Sequence, residues 1–222
     1  MKLIKVYLYS LIIILIIGSL AFLIVKFDLL KKSEPEYFLN VNLSPEKMAE
    51  LMKRREDNFK RLEIFPNTFE VYLDLGNIER ELGNASKAID YLKEAAKINP
   101  VDPTPWLNIG QIYVSLGLYP QAESVYLKAK QLNSHYPLPY LFLAELYQNY
   151  YKEKSNQIRS IYLEGLNMND NTEQIMIPFA TYLTESGNYS EALLYWQELM
   201  KRLPERTDFQ EMIDKCQKNI SK

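Results

Sequence analysis

The sequence predicts an all-α protein: a right-handed α-solenoid of about four helix pairs with capping helices, preceded by one N-terminal transmembrane helix. Three observations predict it. Residues 69–206 repeat one pattern of large and small side chains at an interval of 34 residues. Glycine is scarce, 7 in 222 residues, and long stretches are rich in the helix formers Ala, Leu, Lys, Glu and Gln. Residues 6–25 are an uncharged apolar run.

That run, Val6 to Val25, is twenty residues long. At about 1.5 Å per residue it matches the roughly 30 Å hydrocarbon core of a bilayer. Tyr7 and Tyr9 stand near one end, and Lys5 and Lys26 mark its borders, as interfacial anchors do. A cleavable signal peptide is the rival reading, with Lys2 and Lys5 as its charged start and Ser19-Leu20-Ala21 as a cleavage site. The apolar run continues through Phe22-Leu23-Ile24-Val25, which favours an uncleaved anchor over residues 1–25. Flanking lysines are nearly balanced, so orientation follows the signal-anchor default, with the soluble domain on the extracytoplasmic side, periplasmic if the cell is bacterial. Residues 26–43 form a juxtamembrane connector.

Ser44-Pro45-Glu46 is a helix start, and Pro66 a stop, so residues 44–66 are expected to form an N-terminal capping helix. Its apolar side chains are Met48, Leu51, Met52, Phe59 and Leu62. The repeats follow as units 69–102, 103–136, 137–172 and 173–206. The first carries Tyr72, Leu75, Gly76, Gly83, Ala88, Leu92, Ala95 and Pro100. The second places Trp106, Ile109, Gly110, Tyr113, Gly117, Ala122, Tyr126 and Ala129 at the same offsets. The third has Tyr140, Leu143, Ala144 and Tyr147, then a two-residue insertion near 150–155, then Tyr162 and Gly165. The fourth has Phe179, Ala180, Gly187, Ala192, Trp196 and Pro204. Small residues at the eighth and twentieth positions let two antiparallel helices approach, and Gly83, Gly117 and Gly187 end the first helix of their pairs. Phe209, Met212, Ile213 and Cys216 then fall on one helical face, giving residues 207–222 a C-terminal capping helix with Cys216 buried.

This pattern resembles the tetratricopeptide repeat. Glu79 stands where the first unit should have Tyr, Ser134 where the second should have Pro, and Met176 where the fourth should have Trp. The resemblance implies a concave groove faced by the second, fifth, ninth, twelfth and thirteenth positions of each unit. It places there Leu73, Leu107, Leu141 and Ile177 (fifth), Asn77, Gln111, Glu145 and Thr181 (ninth), and Arg80, Val114, Gln148 and Thr184 (twelfth). On this reading Leu107 and Leu141 are the apolar anchors; the equal alternative is that the fifth position is merely shielded by its neighbours. Family members that clamp a C-terminal carboxylate use Lys or Arg with Asn; here Leu73 occupies the Lys position, so that mode is not expected. An apolar strip flanked by amides and hydroxyls suits an extended or helical segment instead. Tyr72, Tyr113, Tyr126, Tyr140, Tyr147 and Tyr162 are expected in the repeat cores, with Tyr150 and Tyr151 of the insertion exposed.

Catalytic chemistry is not expected. His135 is the single histidine and Cys216 the single cysteine, so no metal cluster or Ser-His or Cys-His nucleophile pair has its parts. No phosphate-cradling glycine motif occurs. Sequons at Asn42, Asn84, Asn188 and Asn219 are near what chance gives in such a composition. Beyond residue 32 the chain has 21 bases against 27 acids, a net of −6, which disfavours nucleic acid. The expectation is therefore a non-catalytic scaffold with a protein partner, membrane lipid around residues 6–25, no cofactor, no metal, no nucleic acid and no small-molecule substrate. Its expected role is help in assembling or maturing membrane or envelope complexes; the alternative is a permanent structural subunit of such a complex.

Overall fold

A computed structural model describes residues 36–170 and 172–221. The chain divides into two units, Met1–Glu36 and Tyr37–Lys222. The expected transmembrane helix lies outside the described residues, and among those no helix is long and apolar enough to cross a membrane.

Ten α-helices and no strand are found among the described residues. They are α1 (Pro45–Ile64), α2 (Phe69–Glu81), α3 (Ala85–Ile98), α4 (Thr104–Ser115), α5 (Tyr119–Leu132), α6 (Leu138–Glu145), α7 (Ile158–Met168), α8 (Glu173–Glu185), α9 (Tyr189–Arg202) and α10 (Asp208–Ile220). Each packs on its neighbours in sequence, and α2 on α4 and α4 on α6 make the main contacts beyond that. This is the quasi-one-dimensional order of a tetratricopeptide-like solenoid, with pairs α2/α3, α4/α5, α6/α7 and α8/α9.

Small residues set how closely the pairs approach. A Cβ on Gly110 would strike the ring of Tyr126, and one on Gly76 would lie 2.6 Å from Leu92 Cγ. The first-helix turns use glycine for its left-handed backbone: Gly83 has φ +85°, Gly117 +71° and Gly187 +79°. Burial on this frame yields a large cluster from Leu107 to Cys216 and a smaller one of Ala85, Ala88, Ile89, Leu92, Ile109 and Ile112.

The two-residue insertion is absorbed inside the third pair. From Leu146 to Tyr150 the helix widens into a π-turn, closed by Tyr151 N–H donating to Leu146 O at 2.7 Å. A 3₁₀ segment, Lys152–Gln157, then leads into α7. Glu123 of α5 fastens this detour by accepting from the Tyr147 hydroxyl and pairing with Lys154 Nζ at 3.0 Å.

Helix α1 starts as expected, with Ser44 Oγ accepting from Lys47 N at 3.2 Å and Pro45 opening the first turn. Its docking differs from expectation. Leu51 is buried, but Met48, Met52 and Phe59 are exposed. Polar contacts hold the helix instead: Arg54 Nη2 meets Asp74 Oδ1 at 2.6 Å, Asn58 Nδ2 donates to Asp74 Oδ2 at 2.7 Å, and Arg55 Nη1 pairs with Glu79 Oε1 at 3.2 Å. Glu79 is 1% exposed, and its second oxygen accepts from Asn84 Nδ2 at 2.6 Å. The residue that breaks the repeat pattern is thus the acceptor for the preceding helix. Part of the connector is also docked, with Leu39 N donating to Gly83 O at 2.8 Å and Tyr37 N to Ser86 Oγ at 2.6 Å.

Gly110→Ala should destabilise the protein by about 1–3 kcal/mol through overpacking against Tyr126, although Gly to Ala in an open helix gains about 1 kcal/mol. Urea denaturation tests this, and adding Tyr126→Leu should recover part of the loss. Arg55→Met leaves the Glu79 carboxylate buried without its cation and should cost about 2 kcal/mol, below a fully buried pair because Arg55 is partly solvated. The double variant Arg55→Met/Glu79→Tyr, which restores the family's aromatic, should unfold at a higher urea concentration than Arg55→Met alone.

Candidate functional site

The first helices of the pairs, α2, α4, α6 and α8, bring most of the expected groove residues to one face. There they line two adjoining hollows. The first, about 270 Å³, has Arg80 from α2, Gln111, Val114 and Ser115 from α4, and Phe142 and Glu145 from α6, with Leu146 and Tyr150 from the π-turn and Tyr126 from α5. The second, about 460 Å³, has Leu141 and Glu145 from α6, Gln148 and Asn149 from the π-turn, Tyr162 from α7, and Ile177, Pro178, Thr181, Tyr182 and Glu185 from α8. Glu145 borders both.

Eight expected residues therefore meet here: Arg80, Gln111, Val114, Leu141, Glu145, Gln148, Ile177 and Thr181. Leu73 is half-buried against the smaller core cluster, and Asn77 Oδ1 accepts from Asn108 Nδ2 at 3.1 Å; neither lines these two hollows. Leu107 is a correction. It is 2% exposed and belongs to the large core cluster with Tyr140, Leu143 and Ala144 of α6, because the third pair covers it. Thr184 is likewise buried, donating to Ala180 O at 2.8 Å and accepting from Trp196 Nε1 at 3.0 Å.

Several lining residues carry no individual signal in the sequence. Ser115, Asn149 and Glu185 stand at the thirteenth position, a column already expected to face the groove. Tyr126 and Tyr162 are core residues, as expected, whose rings also reach the concave side. Pro178 does carry a readable signal: within α8 it lacks the N–H that would bond the Gln174 carbonyl, leaving an acceptor on that helix without its intrahelical donor. Tyr150 is exposed and stacks on Tyr119, ring centroids 5.7 Å apart. Tyr151 departs from expectation: it is half-buried, edge-on to Tyr147 at 6.2 Å.

The electrostatics of the two hollows differ. Arg80 Nη1 donates to Gln111 Oε1 at 2.9 Å and supplies the first hollow's cation. The second holds Glu145 and Glu185 and no cation. Glu185 Oε2 accepts from Gln148 Nε2 at 3.2 Å, and neither carboxylate has an ion-pair partner among the described residues. Burial, then Glu145 and Glu185, push the Tyr162 hydroxyl up to about 12. Burial, then Glu145 and Tyr150, push Tyr126 up as well. Among the described residues no group of three or more His, Cys, Asp or Glu is placed to hold a metal ion.

Two family models match the chain: "TPR repeat" over residues 76–117 and "Tetratricopeptide repeat" over residues 103–136. No curated protein matches it in sequence. The solved structures it resembles include that of MamA, at 16% identity and TM-score 0.52, covering 82% of this chain and 100% of that one. TTC0263, a thermophilic TPR protein of Thermus thermophilus, gives 18% identity and TM-score 0.54 over 77% and 92% of the two chains. YrrB, described as a TPR protein with an unusual peptide-binding site, gives 17% identity and TM-score 0.50 over 74% and 93%. Likeness at such identities speaks to the fold.

Both tyrosines ionise above their unfolded value near 10, so their effect on stability is absent below that pH and grows above it. As pH climbs from about 10 to about 12, the unfolded chain loses these protons first, and stability should fall by about 1.4 kcal/mol per pH unit for each ring. Phenolate absorbance followed together with helicity checks this: the late-titrating rings should ionise only as the helices melt. Residues 76–136 match tetratricopeptide repeat models in sequence, and the described helices form a tetratricopeptide-like solenoid.

Proposed function

We propose that this protein is a non-catalytic, membrane-anchored scaffold, held in lipid through residues 6–25, whose concave surface captures a segment of a partner protein. Tetratricopeptide repeat proteins generally mediate protein–protein interactions, and their fold typically serves as a scaffold without catalysis. The observation carrying the reading is the pair of adjoining hollows on one face, built mainly from the fifth, ninth, twelfth and thirteenth positions of successive units. Val114, Leu141 and Ile177 supply apolar contact there while Gln111, Gln148, Asn149 and Thr181 supply hydrogen bonds, a mixture suited to an extended backbone. YrrB, similar in fold, has a peptide-binding site, which agrees with this use of the surface. The uncharged run at 6–25 would keep the solenoid at a membrane, on the extracytoplasmic side, where assembly or maturation of membrane or envelope complexes is the role that fits.

A photo-crosslinking side chain at Val114 or Ile177 should trap a discrete partner in native membranes, and one at Leu194, 66% exposed on α9, should not. Val114→Trp with Thr181→Trp fills both hollows and should reduce trapping at Ile177 at least tenfold while leaving the melting temperature nearly unchanged. Equal trapping at Leu194, or undiminished trapping in the folded double variant, would refute the groove reading.

A further inference from the structure

The proposed capture surface also carries information about its ligand's charge, and an inference about that charge rests on the groove reading. Several half-buried glutamates on the later helices are matched to a cation: Glu164 to Lys130 at 2.9 Å, Glu191 to Arg159 at 2.9 Å, and Glu173 and Glu198 to Arg202. Glu145 and Glu185 are not, among the described residues, and both border the larger hollow. Their surroundings complement the rest of a basic side chain. Leu141 and Ile177 offer apolar surface to an aliphatic stem. Tyr162 and Tyr182, ring centroids 5.9 Å apart, add aromatic wall to the same hollow.

We infer that the larger hollow receives a lysine or arginine side chain of an extended partner segment, with the Glu145 and Glu185 carboxylates meeting its charged end. Among the described residues no group of three or more His, Cys, Asp or Glu is placed to hold a metal ion, whereas two carboxylates suffice for an ammonium or guanidinium whose stem is covered by apolar and aromatic walls. Arg80 in the adjoining hollow repels a second positive charge. The captured segment is therefore asymmetric, basic over α6 and α8 and neutral or acidic toward α2 and α4.

The test uses the full-length chain in detergent and fluorescence anisotropy of a labelled synthetic peptide alternating leucine with a single central lysine. Twins carry norleucine or glutamate in place of the lysine. The lysine peptide should bind at least tenfold more tightly than either twin, and this preference should shrink as salt rises. Glu145→Gln with Glu185→Gln should remove the preference, so that the lysine and norleucine peptides bind that variant alike. Equal affinity for the lysine and norleucine peptides, with both lost in Val114→Trp/Thr181→Trp, would overturn the basic preference and leave the groove reading standing. No binding by any peptide, or an undiminished lysine preference in the double Gln variant, would overturn the inference as well.

Discussion

The close approach of paired helices, set by one small residue facing one large one, is the constraint on which the rest of the molecule depends. Gly76 accepts Leu92, and Gly110 accepts the ring of Tyr126. Ala144 and Ala180 occupy the equivalent place in the later pairs, both without solvent exposure. A single pair at this spacing leaves one apolar face open, because its own seam covers only part of its apolar surface. Adding the next pair covers that face, and the same step turns the first helices toward a common side. The concave surface is thus a product of how the core is buried, since the residues left over on α2, α4, α6 and α8 have nowhere else to face.

Where that rule stops, polar contacts take over. Helix α1 has no pair of its own, and it buries Leu51 and little more of its apolar surface. Its position is fixed by Arg54, Arg55 and Asn58 against Asp74 and Glu79. Contacts of this kind specify one arrangement more than they stabilise it, since desolvating Glu79 offsets much of its attraction to Arg55. The connector residues Tyr37 and Leu39 add backbone hydrogen bonds at the Gly83 turn, where the missing Cβ leaves room for Leu39 and Val41. The start of the solenoid is consequently held by geometry-dependent polar bonds, and its middle by packing.

This difference explains what can be read from the sequence. The repeat interval and the glycine turns are legible because packing acts on residue size, and size recurs at fixed offsets in Gly110, Ala122 and Tyr126 as in Ala180, Ala192 and Trp196. The groove columns are legible for the same reason, since helical periodicity decides which positions share a face. A column rule misplaces Leu107 because it treats all units alike, whereas the third pair covers that leucine and leaves Leu141 and Ile177 partly open. The polar docking of α1 is not legible. Partners such as Arg55 and Glu79 lie 24 residues apart with no periodic relation, and nothing in the sequence aligns them before the helices are placed.

The irregular third unit joins these two themes. A register kept strictly through residues 137–172 would carry α6 directly into a tight turn, as α2 and α4 do. The inserted residues instead widen the helix end into a π-turn, which places Leu146 and Tyr150 along the first hollow and Gln148 and Asn149 along the second. Glu145, the last residue of α6, stands at their boundary. A π-turn is unfavourable in isolation, and here Glu123 holds it through Tyr147 and Lys154. The departure from repeat spacing thus adds residues along both hollows, while their difference in charge comes from Arg80 and Glu185 at ordinary repeat positions. A solenoid of identical units would present the same chemistry along its whole length; this one presents different charge in its two hollows.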